Sequence, residues 1–155
     1  MKTSFFRLFF FALGLTALLA SCNRTQITSN RLIDAGEWRV TTLTVNGTAE
    51  STLPTLEIDA CDIYEATCKG EWKQGEAHAE FAWQFRDNGD TFEINRQGEE
   101  EGHEHGDESE EAVIAQCYAF SGIYSVTTRD KEVMEFTSSA TLGHSGQTVV
   151  LRIEK

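Results

Sequence analysis

The segment from His78 to Asn95 constrains the fold more than any other. Ala79, Phe81, Trp83 and Phe85 fall on one side of an extended chain and His78, Glu80, Ala82 and Gln84 on the other, before Asn88-Gly89 turns into Thr91-Phe92-Glu93-Ile94-Asn95. Successive side chains of a strand point to opposite faces, so this period of two predicts a strand with one buried, aromatic face. An Asn-Gly pair supplies the backbone that a tight hairpin needs. Two such strands cannot stand alone in water, and they demand further strands to cover their apolar face.

The rest of the chain supplies them. Gly36 to Val45 is rich in β-branched residues and ends at Asn46-Gly47, a second hairpin signal. Leu56, Ile58 and Ala60 alternate with Glu57 and Asp59 after Pro54, and Cys68, Gly70 and Trp72 alternate with Lys69, Glu71 and Lys73 before a turn at Gln74-Gly75. Further strands are expected at Ala112–Phe120, Ile123–Thr128, Val133–Ser138 and Gln147–Ile153. Eight or nine short strands joined by hairpin-length turns, with no helical period among them, imply an all-β antiparallel meander closed as a barrel or stacked as a sandwich. Between them, residues 97–111 carry Gly98, Gly102 and Gly106 among eight acidic residues. Such a charge block repels itself and buries little, so it reads as a mobile acidic loop.

At the front, Lys2 and Arg7 precede an apolar run that ends in Leu19-Ala20-Ser21-Cys22. The run has the length and flanks of an export signal, not of a retained membrane helix. The closing tetrad resembles the lipobox of bacterial lipoproteins. That resemblance implies removal of residues 1–21, acylation of Cys22 and attachment to a membrane by several lipid chains, which together anchor a protein durably. Residues 22–33 then read as a flexible tether and residues 34–155 as one domain.

With Cys22 acylated, Cys61, Cys68 and Cys117 form an odd set in an oxidising compartment, so at most one intramolecular bridge forms. Cys61 and Cys68 are nearest in sequence and are the preferred pair, closing a short loop at a gain of about 2–3 kcal/mol. A bridge from either to Cys117 stays open as an alternative.

Gly36-Glu37-Trp38 at the head of the first strand, followed by an up-and-down series, resembles the lipocalin pattern. Taken with the lipobox, the chain is similar to the small lipocalin-like lipoproteins of Bacteroidota. The resemblance implies an eight-stranded barrel over roughly Gly36–Glu154, with Trp38 plugging one end beneath a late basic residue, for which Arg152 is the candidate. Thr128-Arg129-Asp130 departs from the turn motif of the central lipocalins.

Function is constrained mainly by exclusion. A net charge of −12 argues against nucleic acid, which is bound through basic patches. Gly143-His144-Ser145-Gly146 places His beside Ser, where extended neighbours point apart, and it lacks the strand-to-helix elbow of a hydrolase. No triad, phosphate loop or cofactor motif is present, so a non-catalytic protein without a cofactor is expected. Trp72, Phe81, Trp83, Phe85, Phe92 and Tyr118 are the candidate lining of a barrel interior that holds a small hydrophobic ligand. The same residues could instead fill the barrel, leaving its outer surface to dock an envelope protein. His103 and His105 within the acidic loop offer a third option, a divalent metal site. The expected setting is the outer membrane, facing the periplasm, as a monomer.

Overall fold

A computed structural model describes residues 24–61, 67–96 and 108–155. Its strands, in chain order, are β1 (Glu37–Val45), β2 (Thr48–Ala49), β3 (Thr55–Ile58), β4 (Cys68–Gln74), β5 (Ala77–Arg86), β6 (Thr91–Asn95), β7 (Gly122–Arg129), β8 (Val133–Thr141) and β9 (Val149–Glu154). Each pairs antiparallel with its neighbour, and β1 pairs with β9 from Arg39↔Glu154 to Val45↔Val149. Eight strands thus close into a ring, with the two-residue β2 folded back on β1 at the Asn46-Gly47 turn, where both residues have positive φ. The expected closed antiparallel barrel is what the chain forms.

The hairpin from His78 to Asn95 has the expected register, Trp83 facing Ile94 and Phe85 facing Phe92. All four of these side chains are buried, as are Trp38, Leu56, Trp72, Phe136, Leu151 and Ile153 on the other strands. Alternation along each strand sends these residues to the barrel axis and the charged residues outward.

Two expectations require correction. Residues 24–35, of which 24–33 fall in the span expected to be a flexible tether, form an α-helix, α1. Their sequence has little helix propensity, and tertiary contacts hold them in place: Leu32 is fully buried, its carbonyl accepts a hydrogen bond from the Trp38 indole at 2.9 Å, and Arg31 Nη1 donates to the Arg129 carbonyl at 2.6 Å. Tertiary context here overrides local preference. Residues 108–120, expected as the end of an acidic loop followed by a strand, form a second helix, α2 (Glu108–Phe120). The ring explains why. Ile94 of β6 pairs directly with Gly122 of β7, so no gap remains for another strand. Glu108, Glu110 and Glu111 occupy the first turn of α2, where carboxylates complement the positive helix terminus.

The helices sit at opposite ends of the barrel. α1 meets the end formed by the start of β1, the β5–β6 turn at Gly89 and the end of β7 at Arg129. α2 lies over the other end, touching the β2–β3 loop at Thr52 and the β8–β9 turn at Gly143. Among the described residues, no helix is long and apolar enough to cross a membrane.

Candidate functional site

The barrel interior is where the fold brings the predicted lining together. Trp72, Phe81, Trp83, Phe85 and Phe92 all point inward and are buried. They pack against one another and against further aromatics: ring centroids are 4.8 Å apart for Phe85–Phe92, 4.6 Å for Phe92–Phe136 and 6.3 Å for Trp83–Phe92. Gly70, directly across from Phe81 in the β4–β5 ladder, leaves room for the Phe81 ring, since a Cβ at Gly70 would lie 2.9 Å from its Cζ. The indole N–H groups are satisfied, Trp83 donating to the Lys69 carbonyl at 2.9 Å and Trp72 to Gln116 Oε1 at 2.9 Å. Aromatic pairs at these separations add to the stability that burial provides.

Among the described residues these side chains occupy the interior. A concavity of about 20 Å³ lies beside Thr67, Gln84 and Asn95. It holds about one water molecule, whereas ligand sites occupy roughly 300–1,000 Å³.

Tyr118 does not join the set. It lies on α2 with its side chain 53% exposed, because a helix turns it away from the face that carries Val113, Cys117 and Phe120. Phe120 takes the interior place instead and stacks on Trp72 with planes 9° apart at 6.1 Å. Gln116 adds a polar clasp across the barrel end. Its carbonyl oxygen accepts from Trp72 and from the Gln74 amide, and its own amide donates to the Thr52 carbonyl at 3.1 Å. Gly143 allows α2 to come this close, since a Cβ there would lie 2.6 Å from Ala119 Cβ. The roles of Gln116 and Phe120 are legible in the spacing Val113, Cys117, Phe120, a helical period that the competing alternation Val113, Ala115, Cys117, Ala119 obscures.

The cysteines divide as preferred. Cys61 and Cys68 are disulfide-bonded with Cα atoms 5.6 Å apart, and Cys117 is a free, buried thiol. Burial pushes the Cys117 thiol up to about 12, despite the nearby Arg96 charge and a hydrogen bond with Ser121. At that value almost no thiolate exists at neutral pH, and Cys117 is an inert core residue. Burial likewise raises the Tyr124 phenol, whose hydroxyl donates to the Phe120 carbonyl. At the other barrel end, Trp38 has a cation 5.6 Å above its ring, supplied by Lys155. Arg152 instead pairs with Glu154 at 2.8 Å and Glu135 at 3.6 Å on the outer face. Cys22, His103 and His105 lie outside the described residues. Among the described residues no cluster of three or more His, Cys, Asp or Glu side chains could hold a metal ion.

The outer surface around α2 has its own character. Tyr118, Ile123, Leu142 and Leu53 are large apolar residues left exposed. The backbones of Tyr118 and Leu142 meet at Ser121, where α2 joins the barrel, the Ser121 amide donating to the Tyr118 carbonyl at 3.1 Å and the Leu142 amide to the Ser121 carbonyl at 2.9 Å, and Ile123 follows two residues later in β7.

No family model and no curated protein matches the chain. Among solved structures it is similar to Japanin from Rhipicephalus appendiculatus bound to cholesterol, at 7% identity and a TM-score of 0.46, over 77% of this chain and 74% of that chain. The strand ladders themselves establish the fold as an eight-stranded, antiparallel, up-and-down barrel.

Proposed function

We propose that the protein is a lipid-anchored, non-catalytic barrel of a bacterial cell envelope that works through its outer surface, docking an envelope protein at the α2 end. One observation carries this reading: the chain's own aromatic side chains occupy the interior, while Tyr118, Ile123 and Leu142 are turned to solvent. Exposed aromatic and aliphatic groups gathered at one place are the usual centre of a protein interface. The lipobox resemblance at Leu19–Cys22 supports the anchor, and the Cys61–Cys68 bridge supports an oxidising compartment. The residues after Cys22 contain no acidic run, which favours the periplasmic side of the outer membrane. Affinity capture from detergent-solubilised membranes tests the reading with wild type beside Tyr118→Glu and Leu142→Glu variants. One stoichiometric partner that is lost with either variant is expected. A partner retained by both, or none with wild type, overturns it.

The apolar interior favours a second reading, in which a small hydrophobic ligand enters beneath α2. That route would part Phe120 from Trp72 and release the Gln116 clasp. Titrating the tryptophan emission with fatty acids or retinoid-like probes separates the two readings, since only a carrier gives a saturable change.

A further inference from the structure

We infer that the barrel is seated directly on the bilayer, its α1 end against the lipid phosphates and its α2 end pointing away, and that it does not hang from a free leash. This rests on the proposed acylation of Cys22. Only Asn23 lies between Cys22 and Arg24, the first described residue of α1, and a chain spans at most about 3.6 Å per residue, so the anchor lies within about 7 Å of Arg24.

Arg24 is itself held to the barrel. The first turns of α1 rest on Gly89, with the Arg24 carbonyl, Thr25 and the Thr28 hydroxyl all within 4 Å of where a Cβ on that glycine would lie. Arg24 also sits 3.9 Å from Asp90. Farther along, Arg31 holds the Arg129 carbonyl and Leu32 holds Trp38. With both Arg24 and Leu32 held to a closed barrel, almost no slack is left between lipid and domain.

The surface presented by that end suits a headgroup layer. Arg24, Ile27 and Arg31 recur at three- and four-residue spacing and so share one stripe of α1, while Thr28 and Leu32 are buried against the barrel. Ile27 is 45% exposed, a large apolar side chain between two arginines, as in helices that lie in a membrane interface. Arg129, whose carbonyl Arg31 reaches, ends β7, and Lys131 follows in the β7–β8 turn. Arg129 bonds Asp90 through Nη2, and its buried Nη1 has no hydrogen-bond partner. Asp34, Asp87, Asp90, Asp130 and Glu132 share this end, but Asp90 is engaged by Arg129 and Arg24, and Asp87 accepts from the Thr91 hydroxyl. Recognition therefore works through individual guanidinium–phosphate contacts. At the opposite end, Glu108, Glu110 and Glu111 of α2 are repelled by an anionic leaflet, which favours the same orientation.

The test uses the acylated full-length protein in phosphatidylethanolamine–phosphatidylglycerol vesicles, with a nitroxide on Lys131→Cys or Leu142→Cys. Cys117 is buried and Cys61 is bridged to Cys68, so only the introduced thiol takes the label. Nickel-complex accessibility at position 131 should fall several-fold on vesicles relative to the unacylated Cys22→Ser chain in solution. Position 142 should not change, and Ile27→Asp should restore much of the accessibility at 131. Equal accessibility at both positions with Cys22 acylated by mass spectrometry overturns the seating and leaves the anchor standing, as does protection at 142 alone. An unmodified Cys22 overturns the anchor, and the seating with it.

Discussion

Replacing Phe92 with alanine asks whether the barrel is solid. Phe92 has no exposed surface and lies within ring contact of Phe136, Phe85 and Trp83. Those neighbours belong to β8 and β5, strands bonded on both sides within a closed ring, so the walls cannot collapse into the space the ring leaves. Removing the phenyl group forfeits about 2–3 kcal/mol of burial. The unrelaxed cavity adds to this, and the total should approach the upper part of the about 3–5 kcal/mol seen for Phe→Ala substitutions in rigid cores. With a urea dependence near 2 kcal/mol per molar, the midpoint should fall by roughly 2 M. Equilibrium urea melts followed by far-ultraviolet circular dichroism measure this, with Trp83 emission as a local reporter. Phe92→Leu, which keeps most of the volume, should cost about 1–2 kcal/mol and serves if the alanine variant does not fold. A midpoint shift under about 0.5 M for Phe92→Ala, at unchanged slope, would mean that the ring borders a void. The solid-core argument would then fail and the carrier reading would take its place.

Three further outcomes follow from particular contacts. Gly143→Val drives a side chain into Ala119 and should cost about 1–3 kcal/mol; hydrogen exchange should speed up across Glu108–Phe120 and not in the β-ladder, and unchanged α2 protection would refute the docking described for that glycine. Replacing Cys61 and Cys68 together by serine should lower stability by about 2–3 kcal/mol with the barrel's circular dichroism preserved, and a loss near zero would show that the bridge constrains little. The Cys117 thiol, ordinarily ionising near 9.0, is raised to about 12 in the fold. The unfolded chain therefore gives up this proton first, and the stability tied to the group is intact below pH 9 and drains away as pH rises towards 12. Between about pH 10 and 11, Cys117→Ala should make the fall in unfolding free energy shallower by about 1.4 kcal/mol per pH unit, and identical slopes would count against a buried neutral thiol.

The barrel strands are legible in the sequence because each carries its own evidence: a period of two, β-branched residues and a glycine turn. Trp83 and Phe92 can each be placed on an apolar face of their strand from the primary structure alone, and the closed ring decides that this face looks inward. The helices are not legible in the same way. Residues 24–35 have no apolar stripe, and what makes them helical is Trp38, Arg129 and Gly89, which come from distant parts of the chain. Residues 112–120 satisfy both periods, and the choice between them is settled by the direct pairing of β6 with β7. Tyr118 is misplaced for that reason alone: one hundred degrees of turn per residue, in place of a half-turn, sends it outward. The occupancy of the interior is likewise a property of eight strands taken together, not of any one of them.

The β1–β9 seam has a last consequence. A sheet that ends in an open strand offers unpaired amides and carbonyls to any neighbour, a hazard that grows when copies are concentrated. Because the first and last long strands bond to each other from Val45 to Arg39, this seam presents no such template. Many copies can therefore crowd side by side without zipping into a common sheet, and contacts between them are left to side chains alone.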